Sequence, residues 1–112
     1  MAQLMSESRL IREGVLSISL EGRVDLTTVP GIRKRLLGFA KKGEVRRIHL
    51  DLSQVTLLDT SGVAMLVEIR RWLARKGGVL RLTGASENIW RLIQLARLDQ
   101  VFEVGDDPDR RI

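Results

Sequence analysis

Apolar and polar residues alternate along positions 15–20, with Leu16, Ile18 and Leu20 to one side and Val15, Ser17 and Ser19 to the other. A period of two places successive side chains on opposite faces, so this segment reads as a half-buried strand. Gly14 ahead of it predicts a turn from a shorter strand around 10–12. The same period returns at 47–52, where Ile48, Leu50 and Leu52 oppose Arg47, His49 and Asp51. It returns again at 79–82, where Leu80 and Leu82 alternate with Val79 and Arg81. Between these strands the apolar spacing lengthens to that of a helix. Val29, Ile32, Leu36 and Ala40 share one face, behind Thr27 or Thr28 as a cap and with Pro30 in the first turn. Lys41-Lys42-Gly43 closes that helix with cations at its negative end. A second helix is predicted over 62–76, stopping at Gly77-Gly78, with Val63, Leu66, Val67, Ile69, Leu73 and Ala74 on a wide core face. Ser86 caps a third, striped by Ile89, Leu92, Ile93 and Ala96, and 101–104 forms a short last strand.

Each main strand is thus apolar on one face only. A doubly wound sheet, covered on both sides, has near-continuous apolar strands. The pattern therefore predicts an α/β domain whose helices lie mainly on one face of a sheet of four or five strands.

A chain of 112 residues supports one domain with one core, placed at about 9–104 and followed by a polar tail at 105–112. No apolar run approaches a membrane span, and the first ten residues show no signal-peptide pattern. The absence of cysteine excludes a disulfide framework and any thiolate nucleophile or metal ligand. Cytoplasm is the expected location, and neither a cofactor nor a metal is expected. The net charge of +5 is spread over several short basic runs, and aromatics make up only 4%. Stacking platforms for single strands interleave aromatics with charge, so direct nucleic-acid binding is not expected. A protein partner with acidic patches is compatible. His49, the only histidine, has no second histidine or cysteine to share a metal, and is read as a sheet-face residue. Asp51 ends a strand as a phospho-aspartate would, but a receiver also needs an acidic pair and a lysine that this sequence lacks.

The candidate chemistry lies in Leu57-Leu58-Asp59-Thr60-Ser61-Gly62-Val63, where an apolar run turns into a helix. Asp, Thr and Ser there can cap the helix, and two hydroxyls plus an acid exceed what one cap needs. A phosphate at that point would meet the positive end of the helix dipole. The second helix carries a surplus as well: Met65 and Trp72, seven apart, share a line off the core face. That line is either buried or an exposed docking strip. Trp90 raises the same question in the third helix.

The stretch "IHLDLSQVTLLDTSGVAMLV" (48–67), with "GGVLRLTG" (77–84) and "LARLDQVFEV" (95–104), resembles a STAS domain, the family of the bacterial anti-sigma factor antagonists. "GRVDLTTVP" (22–30) is similar to the family's turn into its first helix. The resemblance implies the STAS fold, a four- to five-stranded mixed sheet, and no catalysis by the protein itself. It implies Thr60 as phosphoacceptor, since it directly follows Asp59; serine is the more usual residue there. Ser61 matches the family's second hydroxyl and Asp25 its acid beside the phosphoacceptor, so that Asp25, Asp59, Thr60, Ser61, Gly62 and Met65 are expected in the partner surface. The implied partners are an anti-sigma factor, usually a serine/threonine kinase, and a phosphatase. The same Asp-Thr pair also resembles the small STAS subunits that dock on the ATPase of bacterial lipid-transport ABC systems.

Overall fold

A computed structural model describes residues 3–99 and 102–104, with side chains described over 13–99 and at Phe102. The elements run β1 (Gln3–Arg12), β2 (Val15–Val24), α1 (Val29–Ala40), β3 (Arg47–Leu58), α2 (Thr60–Ala74), β4 (Val79–Thr83), α3 (Glu87–Leu95) and β5 (Glu103–Val104). The tail expected at 105–112 lies outside the described residues.

Strand order in the sheet equals chain order, with β1 antiparallel to β2 and each later pair parallel. Successive parallel strands that always step the same way, joined by right-handed crossovers, send every helix to the same face. The core accordingly forms one cluster: Leu16, Ile18 and Leu20 of β2, Ile48, Leu50 and Leu52 of β3, and Leu80 and Leu82 of β4 meet buried residues of all three helices. The opposite side of the sheet carries the alternate set, including exposed Ser17 and half-buried His49 and Arg81. The expected four- to five-stranded mixed sheet needs narrowing. Three parallel strands, β2, β3 and β4, carry the core with three helices, while β1 is an antiparallel edge and β5 only two residues long.

Several boundaries differ from the sequence reading, for identifiable reasons. The first strand spans ten residues rather than a short piece at its end. Its register against β2 shifts twice, so no strict alternation marks it in the sequence. Glu13 and Gly14, at φ 57° and 80°, form the two-residue turn whose twist matches a hairpin. β3 continues to Leu58, well past the predicted end at 52. Its pairing with β2 slips between Ser19↔Asp51 and Glu21↔Gln54, and again between Gly22↔Val55 and Arg23↔Leu57. Each slip adds a residue to β3, so its buried positions pass from every second residue to Leu52, Val55 and Leu58.

α2 begins at Thr60, two residues earlier than predicted, and its buried face is Gly62, Met65, Leu66, Ile69 and Leu73. These positions recur at three- and four-residue steps, the stripe of a packed helix. Met65 is only 2% exposed and belongs to the core. Its expected place in the partner surface is therefore corrected, because packing on both α1 and the sheet widens the buried arc of α2. Val63 and Val67 flank that arc half-buried, and Ala74 is exposed. Trp72 is half-buried and its ring is covered by Lys41 and Arg75, each 4.5 Å from the centroid. No exposed Met–Trp strip exists.

Candidate functional site

β2 and β3 end side by side, with Val24 paired to Leu58, and both chains turn there into helices. The two connections, 25–28 before α1 and Asp59 before α2, lie together at the carboxyl ends of parallel strands, where open α/β sheets hold their ligands. The Asp59 backbone N–H donates to the Val24 carbonyl at 3.1 Å, tying the second turn to the end of β2.

Asp59 joins the two turns through its side chain. It is the N-cap of α2, in an extended conformation at φ −101° and ψ −175°. Its Oδ1 accepts the Gly62 N–H at 3.0 Å and the Ser61 hydroxyl at 2.5 Å. Its Oδ2 accepts the Leu26 N–H, across the gap between turns, at 3.0 Å. The Ser61 hydroxyl first, then the Gly62 N–H, hold this carboxyl below its ordinary pKa, so it is ionised at neutral pH.

Asp25 organises the first turn in the same manner. Its Oδ1 accepts the Thr27 N–H at 3.0 Å, the Thr27 hydroxyl at 2.7 Å and the Thr28 N–H at 3.2 Å. Arg23 Nε donates to Oδ2 at 3.2 Å. The Thr28 hydroxyl accepts the Asp25 N–H at 2.9 Å and donates to the Arg23 carbonyl at 2.8 Å, so Thr28 precedes α1 without capping it by its side chain. The Thr27 hydroxyl chiefly, with Arg23 and the backbone donors, lowers the Asp25 pKa from 3.8 to about 2. A lowered folded pKa means a contribution to stability that is full above the ordinary value and is lost as pH falls through the folded one. Carboxyl-carbon NMR of Asp25 is expected to titrate near 2, and a midpoint at or above 3.8 would contradict this turn geometry.

The two hydroxyls of the motif differ sharply. That of Ser61 is committed to Asp59. Thr60 is exposed in the first turn of α2, and among the described residues its hydroxyl has no hydrogen-bond partner. Gly62 explains how the helix comes so close. A Cβ on it would sit 2.5 Å from Leu58 Cδ1, 3.0 Å from Val24 Cγ1 and 3.1 Å from the Val24 carbonyl oxygen. Helix propensity alone would reward Gly62→Ala by about 1 kcal/mol. Overpacking costs about 1–3 kcal/mol, and here part of the obstacle is backbone. Gly62→Ala is therefore expected to lower stability in urea melts; a gain would show that the contact relaxes freely.

Asp25, Asp59, Thr60, Ser61 and Gly62 thus occupy one corner, whereas Met65 lies in the core beneath it. Two apolar residues of this corner were given no role in the sequence reading. Leu26 is 74% exposed in the first turn and Leu57 is 39% exposed at the end of β3. Leu57 sits in the apolar run Leu57-Leu58; the two bulges of β3 together add two residues, so the alternation that buries Leu52 is restored at Leu58 and leaves Leu57 outward. Leu26 could have been noticed as an apolar residue stranded among turn formers. Among the described residues, no group of three or more His, Cys, Asp or Glu is placed to hold a metal. No described helix is long and apolar enough to cross a membrane.

The STAS domain model matches residues 9–110. An anti-sigma-B factor antagonist of Bacillus subtilis is 26% identical over 93 residues, covering 83% of this chain and 84% of that protein. The anti-sigma factor antagonist from Mycobacterium paratuberculosis superposes with a TM-score of 0.79 at 23% identity, over 97% of this chain and 89% of the other. The Bacillus cell fate determinant SpoIIAA in its phosphorylated form superposes with a TM-score of 0.71 at 21% identity, over 97% and 95%.

Proposed function

Because the chain belongs to the STAS domain family, we propose that it is a phosphorylation-switched binding module of the anti-sigma factor antagonist kind. In the unphosphorylated form it binds an anti-sigma factor that is itself a serine/threonine kinase, and so frees a sigma factor. The observation that carries the reading is the contrast between the exposed, uncommitted Thr60 hydroxyl and the Ser61 hydroxyl held by Asp59. The kinase transfers the γ-phosphoryl group of ATP to Thr60 Oγ1, which loses its proton as ADP leaves. A phosphatase restores the hydroxyl by hydrolysis, and the chain itself catalyses nothing. The names of its relatives support this reading over a subunit docked on a transporter ATPase.

Phosphorylation adds a charge of about −1.5 to −2. On the fold the effect is small, since Thr60 stands in the first turn of α2, where the helix dipole favours negative charge. On a bound partner it is large. The new charge joins the ionised Asp25 and Asp59 at a surface that docking strips of water, and each tenfold loss of affinity needs only about 1.4 kcal/mol.

Incubation with the cognate kinase and ATP, followed by peptide mass spectrometry, is expected to place phosphate on Thr60. Phosphate on Ser61 alone, or none with an active kinase, would overturn the assignment.

A further inference from the structure

Among the described residues three large apolar side chains are exposed: Leu26, Leu57 and Leu95. Single exposed leucines are ordinary on protein surfaces. Here two of the three lie by the Asp59 cap, Leu26 through the bond from its N–H to Asp59 Oδ2 and Leu57 two residues before it in the chain. The Leu26 turn is also held rigidly. Its N–H is bound by Asp59 Oδ2, and the next two N–H groups are bound by Asp25 Oδ1. The leucine is therefore presented outward, at 74% exposure, by a turn with little freedom left to lose on binding.

We propose that Leu26, supported by Leu57, is the apolar anchor of the partner contact, and that it fits an apolar recess rimmed by cationic side chains on the anti-sigma factor. The rim follows from charge complementarity, because the anchor is bordered by two carboxylates: that of Asp59, which has no cationic partner among the described residues, and that of Asp25, which shares Arg23 at 3.2 Å. Asp59 then acts as a positioning residue as well as a cap, since its carboxylate fixes the turn that carries the anchor. This inference rests on the reading of Thr60 as the switch, and it adds which side chain carries affinity and what the partner must offer.

The test is titration calorimetry against each anti-sigma-type serine/threonine kinase of the source genome, purified singly. Wild type, phosphorylated wild type, Leu26→Ala, Leu26→Met and Leu95→Ala are compared, with thermal melts to verify folding. Leu95 is the control, as it is 76% exposed and lies at the end of α3. Leu26→Ala is expected to lose at least tenfold in affinity, Leu26→Met to stay within about threefold, and Leu95→Ala within about twofold. Added salt is expected to weaken wild-type binding, as a cationic rim requires. If phosphorylation releases the kinase but Leu26→Ala binds like wild type, the anchor is wrong and the switch stands. If phosphorylated and unphosphorylated wild type bind alike, the switch is wrong. Absence of binding to every kinase removes both.

Discussion

Thr60→Glu is expected to weaken partner binding at least tenfold while leaving the melting temperature nearly unchanged. The fold loses little, because the Thr60 side chain is exposed and its hydroxyl bonds to no described residue. A carboxylate in the first turn of α2 gains from the helix dipole and is opposed by neighbouring Asp59. The balance should stay within the roughly 0.5 kcal/mol usual for surface changes. In the proposed complex the same charge is desolvated beside Asp25 and Asp59, which already take up the cations of the partner's rim, so it is left without a counter-charge. Thr60→Val separates a switch from a constitutive hydrogen bond, since it keeps the shape and removes the hydroxyl. A switch predicts that the valine variant binds and cannot be phosphorylated. Equal affinity of wild type and Thr60→Glu would refute the assignment of this corner as the docking surface.

Leu50→Ala and Leu66→Ala are each expected to cost about 2–5 kcal/mol. Leu50 is fully buried in the central strand β3 and Leu66 is 1% exposed in α2, so truncation removes apolar contacts and leaves a cavity. Net stabilities of domains are about 5–15 kcal/mol, so either change consumes a large part of the total. Leu95→Ala removes the same atoms from a 76% exposed position and should cost little. Urea melts decide between them, and a loss below about 1 kcal/mol at both core positions would show that the strand and helix faces are misplaced.

Where one simple period governs a segment, the sequence was enough. Leu16, Ile18 and Leu20 alternate without interruption, and all three are buried. Leu80 and Leu82 behave the same way. Ser86 was legible as a cap because its hydroxyl has the simple task of accepting the Ile89 N–H, at 3.3 Å. The end of β3 was not legible, since its bulges move the buried positions out of period two. The start of α2 was misplaced by two residues for a related reason. Gly62 looks like a helix boundary by propensity, yet it lies inside the first turn, where a Cβ would come within 3.1 Å of Leu58 and Val24. Met65 was misjudged because the width of a buried helix face depends on how many neighbours it packs against. The site itself was half visible. The Asp-Thr-Ser-Gly run announced a helix start with surplus hydroxyls, but its pairing with the Leu26 turn is made across 33 positions of chain. The resemblance already set Thr60 apart from Ser61, and the structure adds that the Asp59 carboxylate takes the Ser61 hydroxyl.

A single covalent change at Thr60 is proposed to govern association, and the most direct measurement compares the same protein before and after that change. The cognate kinase is used to phosphorylate the chain to completion, and both forms are titrated into the nucleotide-bound kinase in a calorimeter. The unphosphorylated form is expected to bind, and the Thr60-phosphorylated form to bind at least tenfold more weakly while melting at nearly the same temperature. Equal affinity of two folded forms, with phosphate verified on Thr60, would contradict it.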